Sequence, residues 1–255
     1  MSLLVLKDLY YLNKNTIKKT INLLTKNWPF IFTGFAYMII NIILGLIIGI
    51  LFSGVLRIIG GILLAVAMAA LISNYLYLLQ TIIRTEKLTI SDFKYGFKAL
   101  LGKVYGVLII WWISSLLFSW IISPILGSIS YVVSTVIPIL LLVVLNALPE
   151  SIYLKYYAPW DTIVYSFNFL KENWIEWLLP NSILIVVMYI ISGKIAFQLF
   201  SIRFVSNLNI SINTIISFII GQLVFSFIMI YRGVLFESLS TSTRRKRIYM
   251  RDLYK

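Results

Sequence analysis

The chain of 255 residues contains no cysteine and no histidine. The missing cysteines exclude disulfides, thiolate metal sites and redox chemistry at sulfur. The missing histidines remove the most common general base and the most common metal ligand of proteins. Acidic residues are scarce as well, with nine against 22 lysines and arginines. The sequence therefore predicts a non-enzymatic protein with no cofactor and no metal site.

Charged residues make up only 12% of the chain, whereas 60% is hydrophobic and the mean hydropathy is +0.95. A soluble domain of this length carries about twice that charged share. The surplus apolar surface needs an apolar solvent, and a lipid bilayer is the ordinary one. The predicted fold class is therefore all-α, as a polytopic membrane protein with a single domain over residues 1–255.

Six apolar runs are long enough to cross the ~30 Å hydrocarbon core of a bilayer. The predicted spans are Trp28–Phe52, Ile59–Ile83, Val104–Leu126, Tyr131–Leu148, Trp174–Ile191 and Ile210–Tyr231. Short connections after the first and third spans predict tight hairpins. Pro138, Pro149 and Pro180 are expected to interrupt the fourth and fifth spans.

Lysines and arginines are distributed unequally between the two sides of these spans. Nineteen of the 22 fall on the side of the N-terminus, and only Arg57, Lys194 and Arg203 fall on the other. Because cytoplasmic loops attract positive charge, both termini are expected in the cytoplasm, with the protein in the cell membrane. The first 27 residues are amphipathic, so no cleavable signal is expected.

The segments before the first, third and fifth spans are similar to one another. Thr16–Trp28 aligns with Thr162–Trp174 at a constant offset of 146, and Phe93, Phe97 and Leu100 follow the same spacing. Apolar residues at i, i+4 and i+7 predict amphipathic helices in the headgroup plane. We therefore expect three repeats of an interfacial helix plus a transmembrane hairpin, although any cytoplasmic loop can mix lysines with aromatics. The units cover about 13–83, 90–154 and 159–236, and 237–255 is a basic cytoplasmic tail.

Related positions at the inner ends of the three hairpins hold Asn74, Glu150 and Arg232. If the units surround one axis, Glu150 and Arg232 pair there and Asn74 adds a hydrogen bond, because an unpaired intramembrane charge is costly. The alternative places both charges at helix ends among the headgroups.

Two further groups of residues are candidates within the spans. Asn41 and Gln222 are mid-membrane polar residues that can line a solute path or hydrogen-bond between helices. Small residues recur every four positions in the first two spans, which predicts that these helices pack closely on each other. These small residues are Gly45, Gly49, Gly61, Ala65 and Ala69.

The predicted partners are lipids. The basic tail is expected to contact anionic lipid at the cytoplasmic face, and nucleic acid is not expected to bind so short a tail. The segment 192–208 is predicted to lie on the outer interface or to dip into it. A membrane-protein partner or a homo-oligomer is left open. The expected lipid contacts are Arg244, Arg245, Lys246 and Arg247.

The run Ser-Phe-Asn-Phe-Leu-Lys-Glu-Asn-Trp at 166–174, before a span of a six-span plan, resembles a group of bacterial membrane proteins. These are six-span proteins related to the membrane domain of glycerophosphodiester phosphodiesterases. The resemblance covers most of the chain and implies a helical membrane domain. The hydrolase domain of those enzymes is absent from this sequence, so their activity is not implied.

Three classes of function remain open. The first is a transport or permease-type component for a small or amphiphilic solute, which the repeated hairpins and interrupted spans favour. The second is an accessory, assembly or regulatory membrane protein without transport activity. The third, a lipid-handling enzyme, is disfavoured by the missing catalytic residues. A hydrated cavity toward Asn41 or Gln222 would favour transport, and a solid core the accessory role.

Overall fold

The computed structural model describes residues 3–192 and 212–242, and all regular structure in these ranges is helical. Short 3₁₀ or π-helical turns connect several of the helices, among them Trp28–Phe32 and Phe118–Ile122. The α-helices are α1 (Leu3–Lys26), α2 (Thr33–Leu51), α3 (Arg57–Thr85), α4 (Ile90–Ala99), α5 (Leu101–Leu117), α6 (Ser123–Leu126), α7 (Ser130–Val144), α8 (Leu148–Leu154), α9 (Pro159–Ser192) and α10 (Ile212–Thr241).

Several of these helices are long and apolar enough to cross a membrane. Within the described ranges, five stretches pass by length and composition, and a sixth span results if α7 and α8, bent by 43° at the break between them, cross as one. The predicted all-helical fold with several long apolar helices is thus confirmed. The five stretches are Trp28–Leu51, Arg57–Thr85, Leu101–Leu126, Pro159–Ile191 and Phe218–Thr241.

Pro138 and Pro180 do not break the spans as predicted, whereas Pro149 lies directly after the break between α7 and α8. Pro138 lies inside α7 and Pro180 inside α9, whereas the irregular backbone falls at Leu145 (φ −101°, ψ 22°) and at Asn173 (φ −124°, ψ 24°). The fixed φ of proline suits a helix, and neighbouring groups can satisfy the backbone carbonyl that it frees. Pro149 lies in the first turn of α8, where its missing N–H costs nothing.

α3 and α10 form the centre of the molecule. Their buried segments extend from Ala69 to Ile83 and from Gln222 to Leu239, and Ile152 of α8 and Trp177 of α9 complete the core between them. More than half of the last span is buried, compared with almost none of the first and third spans. The apolar core is therefore concentrated around the second halves of α3 and α10.

Polar contacts join several helix ends at one end of the molecule. Lys26 Nζ lies 3.0 Å from Glu86 Oε2, and Arg84 Nη2 donates to the carbonyl of Leu154 at 3.0 Å. Lys103 likewise donates to backbone carbonyls at the end of α8. These contacts gather the end of α1 and the start of α5 with the ends of α3 and α8. We call this the basic end, and the opposite end, where α2 turns into α3, the far end.

Toward the far end the helices expose many apolar side chains. None of the residues of α7 is buried, and Ile139 on this helix is 59% exposed. Ile50 near the end of α2 and Trp120 after α5 are more than three-quarters exposed. Apolar surface on this scale is stable only against lipid or an apolar partner.

The two segments that align at an offset of 146 have the same local geometry. Asn27 (φ −118°, ψ 37°) ends α1, and Asn173 has nearly the same backbone angles in α9. Each asparagine donates from Nδ2 to the carbonyl four residues earlier, Leu23 at 2.9 Å and Phe169 at 3.0 Å. The shared sequence therefore encodes the same bend at two places.

The amphipathic helices differ in what their apolar faces contact. In α1, Thr16, Thr20 and Leu23 face the protein, and Ile17 and Ile21 on the predicted lipid-facing stripe are exposed. Successive residues of a helix point in different directions. The stripe of Thr16, Thr20 and Leu23 therefore faces the protein while the neighbouring stripe of Ile17 and Ile21 faces outward.

In α4 the predicted lipid-facing stripe packs on the protein instead. Phe93, Phe97 and Leu100 lie against the apolar core, and the Phe93 ring stacks on that of Tyr37, with 6.4 Å between centroids. This ten-residue helix packs against α3. Burying its aromatic rings in the core is more favourable in free energy than leaving them among the headgroups.

The last helix continues past its predicted end. The predicted tail at 237–255 begins inside α10, which extends to Thr241. Apart from Ser192, which ends α9, the segment 192–208 lies outside the described residues. The same holds for the four predicted lipid contacts, Arg244, Arg245, Lys246 and Arg247.

Candidate functional site

Two charged side chains meet in the core between α8 and α10. Arg232 Nε donates to Glu150 Oε1 at 2.7 Å, and Nη2 donates to Oε2 at 2.9 Å. Glu150 is fully buried and Arg232 is 8% exposed. The structure therefore places the two charges together inside the protein and not apart among headgroups.

Asn146 and Trp177 complete the cluster around the guanidinium. Arg232 Nη2 donates to the Asn146 carbonyl at 2.6 Å, and Nη1 donates to Asn146 Oδ1 at 3.1 Å. The same Oδ1 accepts from Trp177 Nε1 at 3.0 Å, and the guanidinium lies 5.1 Å from the Trp177 ring centroid. We call these four residues, Asn146, Glu150, Trp177 and Arg232, the arginine cluster.

Sequence reasoning found Glu150 and Arg232 but missed Asn146 and Trp177. The available signal was the four-residue spacing of Asn146 and Glu150, which would align them on one helical face. The turn at Leu145–Ala147 obscures that spacing, because it separates α7 from α8. Nothing in the local sequence of Trp177 indicates that its ring lies beside Arg232.

The arginine cluster is suited to holding helices together. Both carboxylate oxygens of Glu150 bind one guanidinium, and that guanidinium also bonds Asn146, so all three of its nitrogens donate. Removing one partner of such a buried pair leaves an uncompensated charge, at a cost of about 3–5 kcal/mol. The cluster thus fixes α8 against α10 and the break after α7.

Asn74 does not join the arginine cluster, so that part of the expectation is wrong. Its Oδ1 accepts from the Tyr37 hydroxyl at 2.5 Å, and its Nδ2 donates to the Phe93 carbonyl at 2.5 Å. Beside it, Ser73 Oγ donates to the Gly96 carbonyl at 2.8 Å. The reason is that Asn74 lies on the face of α3 that packs against α2 and α4, whereas the charge pair lies between α8 and α10.

Asn41 of α2 and Gln222 of α10 lie at different levels of α2. Gln222 is buried against the start of this helix, since a Cβ on Gly34 would be 2.1 Å from Gln222 Oε1. Asn41 follows about two turns later, and its Oδ1 is buried with no hydrogen-bond donor among the described residues. The structure thus places the two candidates at separate levels of α2, and their part in a solute path stays a prediction.

A cavity of about 520 Å³ opens between α2 and α3 at the far end. Small residues line much of it, and Ser53 and Arg57 lie at the turn between the helices. The lining residues are Gly45, Ile48, Gly49, Phe52, Ser53, Gly54, Arg57, Gly60, Gly61 and Leu64.

The prediction that small residues pack the first two spans together is wrong for most of them. A Cβ on Gly45, Gly49 or Gly61 would meet no atom within 4 Å. The helices touch instead at Gly60, whose Cβ would lie 2.8 Å from Phe52 Cβ. Ala65 is exposed as well, and Ala69 is buried in the core nearer the basic end.

Two ionisable groups at the basic end have shifted pKa values. The hydrogen bond from Lys26, together with its charge, lowers the pKa of the exposed Glu86 carboxyl. Burial lowers the pKa of Lys155, whose ammonium lies 5.3 Å from the Tyr165 ring centroid. In the described part of the chain, no group of three or more acidic residues is arranged to hold a metal ion.

No protein-family model, curated protein or solved structure matches the chain. The function is therefore inferred from three observed features: the packed basic end, the arginine cluster and the open cavity at the far end.

Proposed function

We propose that the protein is a non-enzymatic transport or permease-type component of the cell membrane that moves an amphiphilic solute. In this proposal six spans form three hairpins, each preceded by an amphipathic helix, and both termini are cytoplasmic. The observation that carries the proposal is the contrast between the packed basic end and the exposed apolar helices with their open cavity at the far end.

This contrast favours an amphiphile over a hydrophilic solute. Transporters of hydrophilic solutes bind them near the membrane midplane, among polar side chains and unwound backbone. Here the charged groups and several amides of the core bind one another, as in the arginine cluster and the Asn74–Tyr37 pair. The open space at the far end is lined mainly by apolar and small residues. A solute whose apolar part stays against these helices suits that space.

The proposed orientation is supported by the position of the cations. The described lysines and arginines near the starts of α2 and α5 and the ends of α3 and α8 gather at the basic end, and Arg57 lies alone at the far end. Positive charge is retained on the cytoplasmic side of membrane proteins. Exposed lysines there, such as Lys18 and Lys94, suit anionic headgroups, which we propose as lipid partners together with the tail.

The proposed repeat is supported by the matching bends at Asn27 and Asn173. The bend at Asn173 lies in the segment that resembles the membrane domain of glycerophosphodiester phosphodiesterases, and we propose a common architecture with that group. α4 departs from the pattern, because its rings pack on the protein.

A second candidate is an accessory or assembly protein that binds another membrane protein. It is favoured by α7, which has no buried residue and therefore offers an apolar helix to a partner within the bilayer. A homo-oligomer would cover the same helix.

Transport is tested by reconstituting the protein in vesicles that contain a fluorescent lipid in both leaflets. Dithionite added outside bleaches only the outer leaflet, so full bleaching reports movement across the bilayer. We expect protein-dependent bleaching with no leakage of entrapped calcein. Bleaching at the rate of protein-free vesicles would contradict transport and leave the accessory role, and calcein loss would contradict selectivity for amphiphiles.

The variant Gly49→Leu fills the far-end cavity, and Gly102→Leu is its matched control. Neither glycine has an atom within 4 Å of the position of a Cβ, so neither change should disturb packing. We expect slower lipid movement with Gly49→Leu only. Equal rates in the two variants would show that the cavity is not on the path.

A further inference from the structure

Arg57 is the one cation that the described part of the chain places at the far end of the molecule. It begins α3, is exposed, and forms no ion pair with any residue in 3–192 or 212–242. α3 separates it from Arg84 at the basic end by about 40 Å, since each residue of a helix rises ~1.5 Å. Among the described basic residues it is therefore the one placed to bind an anion at this end.

The cavity beside Arg57 has the size of a ligand site. Its volume of about 520 Å³ falls within the roughly 300–1,000 Å³ of small-molecule pockets. Gly45, Gly49 and Gly61 widen it because they carry no side chain, and Leu64 adds an apolar wall. The interior is thus apolar, and the polar groups Ser53 and Arg57 are at the turn.

We propose that this cavity binds an anionic phospholipid. The phosphate lies at Arg57 and Ser53, and an acyl chain lies along the wall formed by Gly45, Gly49 and Leu64. Charge complementarity selects the headgroup, because one basic residue near a membrane surface attracts an anionic lipid by about 1 kcal/mol. The proposal rests on the proposed function and deepens it, since it names the class of amphiphile that the first hairpin receives.

The absence of cysteine from the sequence allows a unique fluorophore to be attached beside the cavity. We place it through Leu56→Cys, which is exposed and adjacent to Arg57, and through Ile125→Cys as the control on another hairpin turn. The protein is reconstituted in phosphatidylcholine vesicles with a small fraction of lipid spin-labelled near its headgroup. The spin-labelled lipid is phosphatidylglycerol in one set of vesicles and phosphatidylcholine in the other.

Spin-labelled phosphatidylglycerol should quench the fluorophore at position 56 with an apparent affinity about fivefold higher than that of spin-labelled phosphatidylcholine. A factor of about five corresponds to ~1 kcal/mol. Arg57→Gln should abolish this preference, and the matched change Lys94→Gln at the basic end should not. Equal quenching by both lipids at position 56, or a preference that survives Arg57→Gln, would overturn the proposal. A similar preference for phosphatidylglycerol at position 125 would also overturn the proposal, because it would show that anionic lipid is attracted to the protein surface in general.

The ligand must be a lipid and not phosphate alone. Inorganic phosphate at tens of millimolar should leave the preference at position 56 in place, and displacement of the lipid would contradict the role of the acyl chain. The two proposals can fail separately. Lipid preference without lipid movement would contradict transport alone, whereas movement without preference at Arg57 would contradict this site alone.

Discussion

Arg232 of α10 binds both carboxylate oxygens of Glu150 in α8, although 82 positions separate the two residues in the sequence. The pair is buried, and Asn146 accepts two further hydrogen bonds from the guanidinium. In a bilayer, where water cannot replace a lost partner, such a contact fixes the relative position of two spans.

The charge pair should behave as one unit in a double-mutant cycle. Glu150→Leu or Arg232→Met alone should lower the free energy of unfolding by about 3–5 kcal/mol, because each leaves one charge buried and unpaired. The double variant should lose far less than the sum of the two. The measurement is unfolding in mixed micelles with increasing dodecyl sulfate.

The exposed pair of Lys19 and Glu237, 3.8 Å apart, is the control for this cycle. Lys19→Met and Glu237→Leu should each cost about 0–1 kcal/mol, as exposed ion pairs do. Additive losses at Glu150 and Arg232 would show that the two charges do not depend on each other.

The two matching asparagines should differ in their effect on stability. Asn27 donates to the carbonyls of Leu23 and Glu86 and accepts from the Leu88 N–H at 2.8 Å, so it joins α1 to the loop after α3. Asn173 makes its hydrogen bond within its own helix. Asn27→Ala should therefore cost about 1–3 kcal/mol and Asn173→Ala about 1 kcal/mol or less in the same unfolding assay. Equal costs would mean that the bond to Leu23 dominates at Asn27.

Gly233 should not tolerate a larger side chain. A Cβ there would lie 2.1 Å from Ile83 Cδ1 and 2.5 Å from the Tyr153 hydroxyl oxygen, and both side chains are buried. Overpacking of this kind costs about 1–3 kcal/mol, so Gly233→Ala should lower the midpoint of unfolding. Gly102→Ala, where a Cβ meets open space, should leave it unchanged or raise it slightly. A neutral Gly233→Ala would contradict the close contact of α10 with α3 and α8.

The Lys26–Glu86 contact should make the basic end sensitive to acid. Because the pKa of Glu86 is lower in the folded protein than its ordinary value of 4.5, the contact stabilises the fold above about pH 4.5. That contribution is lost as the pH falls through the lowered pKa. Carbon NMR titration of the carboxyl should show a higher pKa in Lys26→Met, and an unchanged pKa would contradict the attribution to Lys26.

The sequence was sufficient to predict what depends on composition and local spacing. Runs of apolar residues indicate the long helices, and the segments that align at an offset of 146 have matching backbone angles at Asn27 and Asn173. Because an intramembrane charge needs a partner, Glu150 and Arg232 are a candidate pair from the sequence, with positions among the headgroups as the alternative. Such features are predictable because they depend on the need of apolar runs for an apolar solvent and on the chemistry of single residues, and not on how helices pack.

The failures concern how helices diverge and turn. Whether Gly45 and Gly61 meet depends on the tilt of two helices, and the close contact that forms instead joins Gly60 to Phe52. Asn74 was assigned to the wrong neighbours because its position around α3 relative to α2 and α4 is a tertiary property. Pro138 was expected to break a helix that continues through it. No pattern along the chain encodes these relations.

All the functional proposals require the basic end in the cytoplasm and the far end at the outer surface. The most direct test is labelling of single cysteines with a membrane-impermeant maleimide, on intact cells and after permeabilisation. Ser53→Cys and Ile129→Cys should react on intact cells, whereas Thr25→Cys and Lys87→Cys should react only after permeabilisation. Reaction of positions 25 and 87 on intact cells, or of positions 53 and 87 from the same side, would contradict the proposed arrangement of the hairpins.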